Sequence, residues 1–287
     1  MNAPPSPDIP GVRDRAARLC ETLASRLAAD WPDLWQACEA GRPLPATAIP
    51  PAAADPLARH ELASLLREAG PERAPIALPA SVTALYAAEH ERILAALEDE
   101  GTPVAPAADR WKKNHAILTG QLIPVGAEFA QPASGIPRSL LLRGGFAQQL
   151  RMLRTVALET GGFRPLLELH AHPDSLATFH EEGWRATYHR LAEILQLNPA
   201  YRGVMASSWF RDPALRTISP RLGYLRDYPE RHGARMFLTG VDRVGTSGAL
   251  ARSPTRQRLF REGAYVPRIH MMVWPRKALL RWHEDDR

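Results

Sequence analysis

Apolar positions recur at helical spacing in the first third of the chain and in short, bounded runs after it. From Val12 to Ala40, Leu19, Leu23, Leu27, Trp31 and Leu34 fall three or four residues apart, the stripe of a helix that buries one side. Pro32 interrupts it, so a helix and a turn are expected, ended by Gly41. The stretch RPLPATAIPPAAADP at 42–56 is too rich in proline for a helix interior or a central strand, and reads as a linker or wrapped arm. A second helix is expected over 57–69. A third follows Ser81, a capping residue, with Val82, Leu85, Ile93, Leu94 and Leu97 at helical spacings. Residues 11–100 therefore read as a helical region, behind a flexible leader at 1–10 that holds four prolines and no apolar period.

The character changes after Gly101. Between 115 and 143, HAILTG, QLIPVGAEF and SLLLRGG are short, apolar and bounded by Gly or Pro, as strands are. A helix is expected at 146–160, closed by Gly161 and Gly162. RPLLELHAH at 164–172 reads as a strand, 177–197 as a helix with Trp184, Tyr188, Leu191 and Leu195 on one stripe, and 201–210 as the next strand. A helical segment from Pro213 to about Leu225, a strand at 234–240, a helix after Ser253-Pro254 and a strand at 266–274 complete the series before a short tail. Strand and helix in alternation make a layered α/β domain, here a mixed sheet with helices on both faces over 101–287.

Composition narrows the class. Hydrophobic residues make up 45% and charged residues 23% of the 287, ordinary globular values that exclude a mostly disordered chain. No apolar run approaches the ~18 residues of a spanning helix, and the N-terminus lacks a signal-peptide pattern, so a cytoplasmic location and no membrane partner are expected. Cys20 and Cys38 have no CxxC-type spacing and read as buried small hydrophobes. The formal charge is +5, but the excess is arginine scattered along the chain, with lysine only at 112, 113 and 277. No basic arm stands out, which argues against a nucleic-acid partner. Arginine over lysine, with abundant alanine and proline, fits the usage of a high-GC bacterial genome.

Two regions carry candidate chemistry. In a strand at 164–172, period-two geometry puts Glu168, His170 and His172 on one face and Leu167, Leu169 and Ala171 on the other. Two histidines at i and i+2 with a carboxylate would suit one divalent iron, zinc or manganese ion, for an oxygenase or hydrolase, with His180 and His189 as further ligands. Too few strands follow for a metal-dependent amidohydrolase barrel. The second region is GVDRVGTSG at 240–248. Its Gly240, Gly245 and Gly248 would allow close approach to an anion, with Arg252, Arg256, Arg258 and Arg261 nearby, although no Walker or Gly-x-Gly-x-x-Gly spacing is present.

The order of elements from 164 to 274, with FHEEGWRATYHRL opening the long helix and SPTRQRLFREGAYVP before the last strand, resembles the C-terminal half of the GNAT superfamily of N-acetyltransferases. In that superfamily a strand contacts the pantetheine arm. The next helix N-terminus binds the pyrophosphate through a turn of Arg or Gln, two residues, Gly, one residue, then Gly or Ala. His180, Gly183 and Arg185 stand at those positions, and only Gly183 matches outright. The resemblance implies an acyl-CoA or similar thioester as co-substrate and a small amine-bearing molecule as acceptor. Glu168 or His170 would remove the amine proton, and Tyr265 would be the general acid for the departing thiolate. A different class, a non-catalytic interaction protein docking through its helical region, would need neither site; a homo-oligomer is compatible with every reading.

Overall fold

The computed structural model describes residues 11–43, 45–172 and 178–286; the leader expected at 1–10 lies outside them. The chain divides into two units, Met1–Pro124 and Val125–Arg287.

The first unit is helical. The stripe read from Val12 onward forms α1 (Val12–Asp30) and, after Trp31, α2 (Pro32–Glu39) with its proline in the first turn, where the missing N–H is harmless. Val12, Ala16, Cys20, Leu23 and Leu27 are the buried face of α1. They pack against α3 (Pro51–Glu68) and α4 (Ala80–Glu98). Helix α3 begins six residues earlier than its periodicity suggested. Pro51 opens it, and Pro56 sits inside at the cost of one N–H. Arg59, 5% exposed, fastens these helices: it pairs with Asp55 at 2.6 Å and donates to the carbonyls of Leu97 and Asp99 at the end of α4, which have no helical N–H to accept from. Cys20 is buried as expected, while Cys38 is only partly covered. HAILTG, read as a strand, is the end of α5 (Asp109–Leu118), because a short apolar run cannot by itself distinguish strand from buried helix. The two-residue β1 (Ile123–Pro124) ends the unit.

The second unit holds five strands of a mixed sheet, in the order β2-β3-β4-β6-β5. They are β2 (Phe129–Ser134), β3 (Leu166–His170), β4 (Gly203–Ser208), β5 (Arg235–Val241) and β6 (Arg268–Pro275). Only β3 and β4 run parallel to each other; the other pairs are antiparallel. One face bears Leu166, Met205, Val273, Met271 and Phe237 and packs beneath α6 (Gly145–Arg154) and the turn at 138–142, through Ile136, Leu140, Met152 and Val156. The other face carries Trp274 against Tyr188 of α7 (Glu181–Leu197), and Trp282 of α11 (Arg276–Asp285) joins the same aromatic cluster. Helices thus cover both faces, as the alternation implied.

Three local expectations fail in this unit. SLLLRGG is a 3-10 turn, Arg138–Leu142, not a strand. The helix expected from Pro213 breaks at Ser219-Pro220 into α8 (Leu215–Ile218) and α9 (Tyr224–Arg231). The presumed tail is α11, which buries Leu279, Trp282 and His283 at i, i+3 and i+4. It starts directly at the end of β6, with Pro275 as the last strand residue and the N-cap of the helix. Between β5 and β6, α10 (Pro254–Arg261) begins as predicted, with Ser253 accepting the N–H of Arg256 at 3.3 Å.

Candidate active site

The sheet opens where its two parallel strands run out. Strands β3 and β4 pair only at Leu167↔Val204 and Glu168↔Met205. Yet β3 continues on its outer side to Phe129↔His170, and β4 on its outer side to Ser208↔His270. Two rows of ladder therefore hold the pair at one end, and past Glu168 each strand follows its other neighbour. Among the described residues no register pair joins them beyond that row. The result is a wedge of strand backbone between Leu169-His170 and Ala206-Ser207-Ser208.

The side chains at this opening are polar on the face of Glu168 and His170. Glu168 accepts the hydroxyl of Ser134. His170 Nε2 lies 2.8 Å from Gln131 Oε1. An amide oxygen only accepts, so Nε2 carries a proton and donates it. Both partners come from β2, and a bulge delivers one of them. The register passes from Gln131↔Glu168 to Ser134↔Leu166, three residues against two, with Ala133 in the left-handed region at φ 60°. The extra residue turns Ser134 onto the face that Ala133 would otherwise occupy. Pro132 was the legible signal, since proline inside a strand marks an edge or a bulge. Sequence reasoning passed over Ser134 and Gln131. Ser207, exposed at the tip of β4, completes the polar rim.

His172 does not join this pair. The strand ends at His170, so the two-residue alternation does not reach 172; its ring is 4% exposed and lies 5.4 Å from that of Phe129. Among the described residues no three His, Cys, Asp or Glu side chains gather to hold a metal ion. Glu168, His170 and His172 therefore do not form the ligand set that a continuous strand would have made. Of the further ligands considered, His189 is bound elsewhere, to Asp286 at 3.0 Å and His283 at 2.8 Å.

The start of α7 carries ligands of the protein's own. His180 accepts the N–H of Gly183 through Nδ1 at 3.3 Å, and Glu181 and Glu182 occupy the first turn. Gly183 has a packing reason to lack a side chain, because a Cβ there would stand 2.0 Å from the carbonyl oxygen of Thr178. Arg185 holds Asp286 with two bonds of 2.6 and 2.9 Å. Hydrogen bonding to that carboxylate, and its charge, raise the guanidinium pKa further. Tyr265 lies three residues before β6 and is buried. Burial, then the neighbouring Asp212 carboxylate, raises its pKa and keeps the phenol protonated.

The glycine loop at 240–248 is filled by its own carboxylate. Asp242 Oδ1 accepts the N–H groups of Val244, Gly245 and Thr246 at 3.2, 2.7 and 3.1 Å, and Oδ2 accepts that of Ser247 at 2.7 Å. The amides that looked available to a phosphate are thus spent within the loop. Burial works against the charge of Asp242, but the bonds from Ser247 and from the amides of Thr246 and Gly245 outweigh it and bring the pKa down to about 2. Asp242→Ala leaves four amides without their acceptor and is expected to cost about 2 kcal/mol in denaturant unfolding. A depressed carboxylate contributes stability that is complete above its unfolded value of 3.8 and is lost as pH falls towards 2. The difference between wild type and variant should shrink across that window; an unchanged midpoint at neutral pH would contradict this role.

No family model matches the chain, and no curated protein matches it. Two solved structures are similar in outline. One is described as an acyltransferase in complex with decanoyl-CoA, at 13% identity over 94% of this chain and 80% of that one, with a TM-score of 0.48. The other is an acyltransferase in complex with decanoyl-CoA and teicoplanin, at 17% identity over 95% and 81%, with a TM-score of 0.44. Likeness at this level carries no argument about what the chain does.

Proposed function

We propose that the second unit is an acyltransferase that moves an acyl group from a CoA-type thioester to a small amine. The observation that carries this reading is the wedge: parallel strands joined over two rows, each continuing on its outer side. An extended, amide-bearing pantetheine arm is matched to such an opening, because it can pair with strand backbone as another strand would. It would bring its thioester towards Glu168, His170 and Ser207. Glu168 or His170 takes a proton from the acceptor amine, whose nitrogen bonds the thioester carbonyl carbon. Backbone N–H groups at the end of β4 steady the oxyanion. The C–S bond then breaks, and the thiolate takes its proton from Tyr265, a phenol that burial keeps protonated. At the start of α7, beside His180 and Gly183, Arg185 would exchange Asp286 for a donor phosphate.

Thermal melts with acetyl-CoA and decanoyl-CoA test the reading. A ligand at 100 times its Kd stabilises the folded state by about 2.7 kcal/mol, expected to raise Tm by several degrees. Arg185→Glu should abolish the shift, whereas Asp286→Ala, which releases Arg185, should preserve or enlarge it. Absence of a shift with either thioester, in the presence of normal folding, would sink the proposal.

A further inference from the structure

Helix α6 buries one side and leaves an apolar side exposed. Gln148 and Met152 face the sheet. On the opposite side Phe146, Leu150 and Leu153 are 80%, 56% and 53% exposed. At 100° per residue these three fall within about 60° of one another. Leu142 before the helix and Leu158 after it are exposed as well, at 82% and 76%. With about 200 Å² for a large apolar side chain, the three on α6 present on the order of 400 Å², the size of the largest patch on a typical monomer.

One flank of the ridge is basic. Arg151 and Arg154 line a cleft of about 290 Å³ beside α6 that also holds Arg235, Glu159 and Glu230. Its two carboxylates are already engaged, Glu159 by Arg235 at 3.0 Å and Glu230 by Arg226 at 3.2 Å. Among the described residues no carboxylate pairs with Arg151 or Arg154, so the cleft offers two uncompensated guanidinium groups. Arg143, just before α6, is exposed and donates to the Thr239 carbonyl at 3.2 Å.

We infer that this face binds the surface of an anionic lipid bilayer. The apolar ridge enters the acyl boundary while the arginines meet headgroup phosphates. Charge decides between this partner and a second copy of the chain. An antiparallel two-fold pairing of α6 on itself brings the same flank of each helix together, setting arginine against arginine. A parallel pairing offers those arginines only the Gln149 side, which bears no acid. No helix of the described residues is long and apolar enough to cross a membrane; contact at the surface requires none. The inference stands independently of acyl transfer.

The test is co-sedimentation of the full chain with vesicles of phosphatidylcholine, alone or mixed with phosphatidylglycerol. Binding to the anionic vesicles is expected to exceed binding to the neutral ones at least about tenfold, and to weaken with salt. The combination Phe146→Ser, Leu150→Ser and Leu153→Ser changes only exposed side chains and should reduce binding about tenfold or more. Arg151→Glu with Arg154→Glu should remove the preference for anionic vesicles. Equal binding by wild type and the triple serine variant overturns the inference, as does no binding to either vesicle. Sedimentation equilibrium supplies the other arm: a dimer that the triple variant dissociates assigns the ridge to a second copy and overturns it as well.

Discussion

His170→Ala is expected to lower kcat for acyl transfer about 100- to 1,000-fold, the usual worth of a positioned general base. Its KM for the thioester should change little. The ring stands where β3 leaves β4, held by Gln131 Oε1 at 2.8 Å from its Nε2. Glu168→Gln tests the neighbouring candidate on the same face. Whichever of the two takes the proton should remove the acidic limb of the kcat/KM profile when replaced, while loss of the other leaves that limb in place. Gln131→Leu and Ser134→Ala act through these residues, as positioning changes, and are expected to cost about tenfold each. If both His170→Ala and Glu168→Gln retain wild-type kcat, the chemistry does not lie at the wedge.

Gly183→Ala is expected to cost about 3 kcal/mol or more, and therefore to lower Tm by roughly 6–12 °C. The reason is steric and local. The added Cβ would meet the Thr178 carbonyl oxygen at 2.0 Å and its carbonyl carbon at 2.9 Å, both backbone atoms with little freedom to yield. A glycine kept only to admit a ligand would behave differently, since alanine would then leave the apo protein as stable as wild type, or more so, and weaken only the CoA-dependent shift. Melts of the apo variant separate the two origins. A Tm within one or two degrees of wild type would contradict the packing account.

The parts of the active-site reading differ in how far apart their determinants lie along the chain. Leu166 to His170 form a strand, and Glu168 and His170 share a face, because side-chain alternation belongs to five consecutive residues. His172 leaves that face because the strand stops, and where a strand stops depends on its neighbours in the sheet. The helix of Trp184, Tyr188, Leu191 and Leu195 was equally plain in its stripe, and all four are buried. The fate of its first turn was not. Arg185 is drawn away by Asp286, 101 residues later, and no local pattern around either residue records that pairing. The glycine loop shows the same limit at shorter range, since Asp242 stood in the motif but its capture of four amides follows from the fold of the loop.

Periodicity, proline and glycine were enough to set a helical first region before a mixed α/β layer, and to put a carboxylate and an imidazole side by side on one strand, since each of these follows from backbone geometry over a few residues. Tertiary structure alone decided that β3 and β4 part after two rows, that a bulge turns Ser134 towards Glu168, and that the outer side of α6 stays uncovered. Those outcomes depend on which distant segments compete for the same hydrogen bonds and the same apolar surface, and no local pattern records the winner.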